Sequence, residues 1–239
     1  MSSAPETACH LVWLDCSPAS RSLVGGKGAS LSHLADLGAP VPLAFALTTH
    51  AYAEFASALG LPQRTLDVAA SGLPALRAAI TEGPLPASVA EALERGFSAF
   101  QNRLNGQLAL AVRSSATAED SEDRSFAGLH DTILDVRTLP ALERAVRQCW
   151  ASLWSDRAIA YRQAGGIAAN DAEIAVVVQH LVRSDVSFVV FTTDPVTGRD
   201  DRLGRRIGAA IVDVVADRVV EQHRVLRNDR DRPAQARLP

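Results

Sequence analysis

One lysine stands in this chain against 23 arginines, and it sits in "LVGGKGASLS" as Lys27. Two glycines precede it and an apolar run follows. A glycine-rich turn running into a helix start presents backbone N–H groups and the positive end of the helix dipole to an anion. A lysine there adds a compact, mobile charge suited to a phosphoryl group whose geometry changes during transfer. Arginine would impose a rigid fork instead. The spacing is not that of the Walker pattern, because the second glycine and the hydroxyl are misplaced. The ordinary alternative is a solvated lysine at a helix start, and the arginine bias of the chain weighs against it.

A second group of chemistry-bearing residues lies in "AVRSSATAED", residues 111–120. Arg113 follows the apolar run "LALAV" and is expected to emerge at a strand end. Ser114, Ser115 and Thr117 then offer hydroxyls and backbone donors, as a phosphate-holding loop would, and Glu119, Asp120, Glu122 and Asp123 follow. An exposed turn with a neutralised arginine explains the same residues equally well. "SFAGLHDT" places Gly128 in a loop and Thr132 at the start of the next strand, an arrangement common to ordinary turns. Gln179 interrupts the apolar run "AVVVQHLV". A buried amide needs partners, which a nucleobase edge or a neighbouring strand could supply. The six histidines are scattered without ligand spacing, and His130 alone falls in the candidate phosphate loop.

The elements that must position these residues can be read from periodicity. "HLVWLD" reads as a strand. A loop, a helix with an apolar stripe at Ala29, Leu31, Leu34 and Leu37, and a Gly38/Pro40 stop follow it. "LAFALTTHAYAEFASALG" reads as a buried strand and a helix capped by Thr48 or Thr49. Residues 61–106 are alanine-rich and helical, broken by Pro and Gly. "LALAVRSS" and "TILDV" are strands, and residues 140–164 form the longest helical pattern. "EIAVVVQHLV" and "SFVVFTTDPVTG" read as a strand pair, and 207–225 as two more short strands. Helices and strands mix without βαβ alternation, which predicts an α+β fold.

Composition narrows the function. The 239 residues can bury a sizeable core. A net charge of −3 and a pI near 6.1 supply no basic field for nucleic acid or an anionic membrane. Aspartates interrupt the arginine runs "GRDDRLGRR" and "RVLRNDRDRPAQAR", which read as solvated surface and frayed tail. No apolar run approaches the roughly 20 residues of a membrane span, and the first residues lack the pattern of a signal peptide. Cys9, Cys16 and Cys149 cannot all pair, so reduced thiols in a cytoplasmic protein are expected.

Four co-linear blocks carry a resemblance: "LVGGKGASLSHLADLGAPVPLAFALTTHAYAEF", "LALAVRSSATAEDSEDRSFAGLHDTILDV", "CWASLWSDRAIAYR" and "VVVQHLVRSDVSFVVFTTDPVTG". Together they resemble the nucleotide-binding domain of phosphoenolpyruvate synthase, pyruvate phosphate dikinase and rifampin phosphotransferase, with the C-terminal end shortened. The resemblance implies an ATP-grasp-like fold, two lobes with mixed sheets flanked by helices. It implies a first lobe over 1–110, the second part of the domain over 111–225, and a flexible tail over 226–239. By the same resemblance Lys27 and Arg113 hold phosphates and are catalytic, Gly128 and Thr132 belong to a covering loop, and Gln179 lies near the adenine. ATP and Mg²⁺ are the implied cofactors.

In that family ATP is split to AMP and phosphate, and a histidine on a separate swivelling domain carries the phosphoryl group onward. This chain departs from that scheme. None of its histidines sits in the carrier context. The glutamate-bearing turn after "DPVTG" is missing, so the metal ligands are unassigned, with Asp213, Glu221 and Gln222 as candidate substitutes. Ser187 and Phe188 stand where small residues and glycine are usual. The expectation is an ATP-dependent phosphotransferase whose acceptor is a small molecule, or whose phosphohistidine-type carrier is on another chain. A catalytically degenerate regulatory or interaction module is the alternative, and a piece of a longer gene product is a third.

Overall fold

The computed structural model describes residues 9–15, 18–61, 72–105, 108–117, 132–164, 173–183, 187–189 and 208–210. The described strands are β1 (Leu11–Trp13), β2 (Ala44–Leu47), β3 (Leu110–Ala116), β4 (Thr132–Val136), β5 (Ile174–His180), β6 (Ser187–Val189) and β7 (Gly208–Ala210). The helices are α1 (Arg21–Asp36), α2 (Thr49–Ala58), α3 (Leu73–Glu82), α4 (Ala87–Arg103), α5 (Leu139–Ser152) and α6 (Asp156–Ala164). β1 to β5 form one sheet in the order β1-β2-β5-β3-β4. Among the described residues every ladder is antiparallel, without the parallel pairs that mixed sheets would include. The α+β class holds.

β5 is central because "IAVVV" can be buried on both faces at once, and Ile174 to Val178 are all buried. Alternation along the strand sends Ile174, Val176 and Val178 to the face that carries Phe45, Leu47, Leu110 and Val112. That face holds the main core, with side chains from α2, α3, α4 and α5. Phe45 stacks edge-on to Trp13 at 5.5 Å, and Phe55 lies 4.6 Å from Trp150. Each such side chain stabilises the fold by about 1.5–3 kcal/mol through burial. α5 shows why it forms. Leu142, Ala145, Val146, Cys149 and Trp150 make one buried stripe, and Thr138 accepts the N–H of Ala141 at its start.

Several expectations change. The pattern over 140–164 is two helices, because Leu153 and Trp154 make i→i−3 turns to Trp150 and Ala151 and bury their own side chains. Of "SFVVFTT" the described residues are Ser187–Val189, and the pairing described for them is not the one expected with "EIAVVVQHLV". Both edges of β5 are occupied by β2 and β3, and β6 pairs with β7. The chain divides into compact units at Val182/Arg183. Residues 110 and 111, where the expected division falls, are the first two of β3, and that division stays an expectation. Residues 226–239 lie outside the described residues. Among the described residues no helix is long and apolar enough to cross a membrane.

α1 covers the opposite face of the sheet, against β2, β3 and β5. Its buried positions are Val24, Gly25, Gly26, Gly28 and Ser32. The leucine stripe read from the sequence is rotated away: Ala29 and Leu31 are half-buried, whereas Leu34 and Leu37 are 44% and 67% exposed. Small residues at i, i+4 and i+8 let the helix backbone approach the sheet more closely than leucines would. Gly38, at φ +78°, ends the helix. Its N–H bonds to Ala35 O and that of Ala39 to Leu34 O, a Schellman arrangement.

Candidate functional site

α1 is not continuous. Gly25 takes φ +70° and ψ 179° inside it, which only glycine adopts without strain. A short first turn therefore ends at Val24, and the helix proper begins immediately before Lys27. Three hydroxyls hold this break. Thr49 Oγ1 donates to Ser22 O at 3.0 Å, and Ser115 Oγ donates to Val24 O at 2.8 Å. Ser32 Oγ accepts the N–H of Ala19. Gly28 N–H, next in the chain to Lys27, donates to Ser115 Oγ at 3.2 Å.

β3 brings the second charge. Arg113 lies in mid-strand rather than at a strand end, because the strand runs on through Ser114, Ser115 and Ala116. Ser115 and Arg113 are two residues apart and so share a face, the one covered by α1. Ser114 points the other way, beside Val112 and Val176, fully buried and with no partner for its Oγ among the described residues. Thr117 returns to Glu173 O through its N–H. Of the residues expected to form a phosphate-holding loop, Ser114 and Ser115 are therefore strand and Thr117 follows its end, and the hydroxyl of Ser115 is engaged by the helix start.

The ladder places two further candidates on the same face. Thr132 on β4 is directly opposite Arg113, with Cβ atoms of such pairs about 4.5–5.5 Å apart. Val177 on β5 is opposite Arg113 on the other side, and Gln179 opposite Ala111. Gln179 is therefore a diagonal neighbour of Arg113, at about 7–8 Å. Lys27, Arg113 and Gln179 are half-buried and Thr132 is exposed. Gly128, Asp213, Glu221, Gln222 and His130 lie outside the described residues. Among the described residues no three of His, Cys, Asp and Glu come together as a metal site.

The assembled surface is a helix start with its partial positive charge, an ammonium on its first turn, and a guanidinium on the strand beneath. An amide and a hydroxyl sit on flanking strands. Such a surface attracts a polyanion, and its polar flanks can accept a planar, hydrogen-bonding group. The positive φ of Gly25 inside a helix, the bond from Thr49 to Ser22 O and the structural use of Ser115 were not foreseen. Ala116 was the available signal, since an apolar residue after "RSS" lets the period-two pattern continue past Arg113.

Comparison with known proteins decides the family. The profile of the pyruvate phosphate dikinase AMP/ATP-binding domain matches residues 21–235. The chain belongs to that family. A probable phosphoenolpyruvate synthase of Staphylothermus marinus is 37% identical over 213 residues, 83% of this chain and 26% of that protein. A prodigiosin synthesizing transferase of Serratia marcescens is 41% identical over 175 residues, 73% of this chain and 19% of its own length. A rifampicin phosphotransferase of a Streptomyces species is 38% identical over 220 residues, 85% of this chain and 25% of that enzyme. The chain thus spans about a quarter or less of these relatives. The fold is ATP-grasp-like, as this domain's is. The matched span also crosses "IGAAIVDVVADRVVEQHRV", the segment expected to be a shortened remnant.

Proposed function

We propose that the chain binds ATP on the α1 face of its sheet and serves as the nucleotide-binding module of a phosphotransferase. The acceptor is a small molecule, or a phosphohistidine-type carrier on another chain. One observation carries the reading. The hydrogen bond from Gly28 N–H to Ser115 Oγ ties the backbone beside Lys27 to the strand two residues from Arg113, so both cations belong to one face.

Phosphoryl transfer depends mainly on positioning and on neutralising charge that spreads over the transferring group. Lys27 is the mobile charge in that role and Arg113 the fixed one, while Thr132 and Gln179 flank them. Gly128 belongs to the loop over the phosphates, with the adenine near Gln179. Asp213, Glu221 and Gln222 are candidate ligands of Mg²⁺, which would supply further neutralisation when bound. Membership of an AMP/ATP-binding family supports the ligand, and relatives named phosphoenolpyruvate synthase and rifampicin phosphotransferase support the reaction class.

The test is calorimetric titration of the chain with ATP, with and without Mg²⁺, beside Lys27→Ala and Lys27→Arg. Saturable binding that Lys27→Ala weakens at least tenfold supports the reading, and Lys27→Arg is expected to recover binding only in part. No heat with either form of the nucleotide overturns it. Binding without AMP or ADP release, when carrier domains and small-molecule acceptors of the relatives are supplied, favours a catalytically degenerate binding module.

A further inference from the structure

In an unbroken α-helix the N–H of residue 28 would donate to the carbonyl of residue 24, and that of residue 26 to residue 22. Here Val24 O accepts the Ser115 hydroxyl and Ser22 O accepts the Thr49 hydroxyl. Gly28 N–H donates to the oxygen of that same Ser115 hydroxyl. A single Oγ therefore bridges this step of the helical ladder, as a relay from Gly28 N–H through Ser115 Oγ–H to Val24 O. Insertion of a side chain into the ladder is a recognised cause of a helix break.

The break sits where only a glycine fits. A Cβ at Gly25 would lie 2.1 Å from Ser115 O and 2.4 Å from its Oγ. The strand has thus come up against the helix backbone at the one residue of α1 with positive φ. Ser115 is fully buried, so water does not compete freely for the relay. Arg113 lies on the same strand and face, which makes the arginine and the wedge one rigid unit.

We infer that Ser115 is a positioning residue for the phosphate site: its hydroxyl holds α1 open at Gly25 and fixes where the helix carrying Lys27 begins relative to Arg113. Ser115 touches no phosphate in this scheme. It acts through the backbone of 24–28. The inference rests on the ATP-binding reading for its ligand, but its structural half stands on the relay alone.

Ser114 supplies the control, being equally buried on the same strand but facing the core with a hydroxyl that has no partner among the described residues. The full-length chain is compared with Ser115→Ala and Ser114→Ala by two readouts. Backbone carbon chemical shifts report the conformation of Gly25, and titration reports the affinities for ATP and for adenosine, which lacks phosphates. Ser115→Ala is expected to move Gly25 toward helical shifts as the ladder closes. It is expected to weaken ATP about tenfold, the effect of one to two hydrogen bonds, and to leave adenosine unchanged. Ser114→Ala is expected to match the parent chain in both readouts.

Unchanged Gly25 shifts in Ser115→Ala overturn the wedge. Parent-like ATP affinity, or equal losses of ATP and adenosine, overturns the positioning role and leaves Ser115 a packing residue. If the parent chain binds no ATP, the functional reading falls with the positioning role, and the Gly25 shifts alone decide the wedge. Should Ser115→Ala not fold, Thr49→Val tests the same break from Ser22, with the same outcomes required.

Discussion

Two faces of one sheet are built to different rules. On the first, Phe45, Leu47, Leu110, Val112, Val176 and Val178 meet helices that bring Phe55, Phe97, Phe100 and Trp150. On the second, Ala44, Ala46 and Val177 meet Val24 and the glycines of α1, and the polar positions of β3 and β5 are Arg113, Ser115 and Gln179. Large apolar side chains stabilise the first face by excluding water. Small ones on the second let a helix backbone approach the strands until hydroxyls can bond to its carbonyls. β2, β3 and β5 contribute to both faces at once, so the core face acts as a rigid base for the polar one.

That contrast can be broken at either face, and the largest effect is expected in the core. Phe45→Ala removes a fully buried ring packed on Trp13 and Phe100 and should cost about 3–5 kcal/mol in denaturant unfolding. The folded fraction should keep its ATP affinity. A large affinity loss would show that the faces are not separable.

Gly25→Ala should cost about 1–3 kcal/mol, because the left-handed backbone is strained for alanine and the new methyl meets Ser115. Unlike Phe45→Ala, it should also weaken ATP binding in the folded molecules. Equal ATP affinity in the two variants would remove the glycine break from the site.

Lys27→Ala separates binding from stability most sharply. Unfolding free energy should change by under about 1 kcal/mol, whereas ATP affinity should fall at least about tenfold, as for loss of a charged hydrogen bond. Smallest of all is Leu37→Ser. At 67% exposed, Leu37 should tolerate the change within about 0.5 kcal/mol. A cost of several times that would restore the leucine stripe to the core.

Much of the first face was legible, because burial on one side of a helix or strand imposes a period. The strands at "HLVWLD", "LAFALTT", "LALAVRSS", "TILDV" and "EIAVVVQHLV" are all present, as are Thr48 as the N-cap of α2 and the stop at Gly38. The second face was harder to read for the same reason. Where small residues do the packing, hydrophobicity no longer marks the buried side, and Leu31, Leu34 and Leu37 drew attention away from Val24, Gly28 and Ser32. Pairing failed where a strand had more than one available partner, as β6 did.

Lys27 and Arg113 could be selected from the sequence because their chemistry is local: a glycine-rich helix start and a cation in an apolar strand. The order of motifs along the chain was likewise enough to name the family. What the sequence could not specify is which backbone atoms meet across 87 residues of chain, the separation between Gly28 and Ser115. Hydrogen bonds of that span depend on the register of β3 in the sheet and on the depth at which α1 rests upon it. Both are set by the summed packing of many side chains, so only the folded chain makes Ser115 part of the helix that carries Lys27.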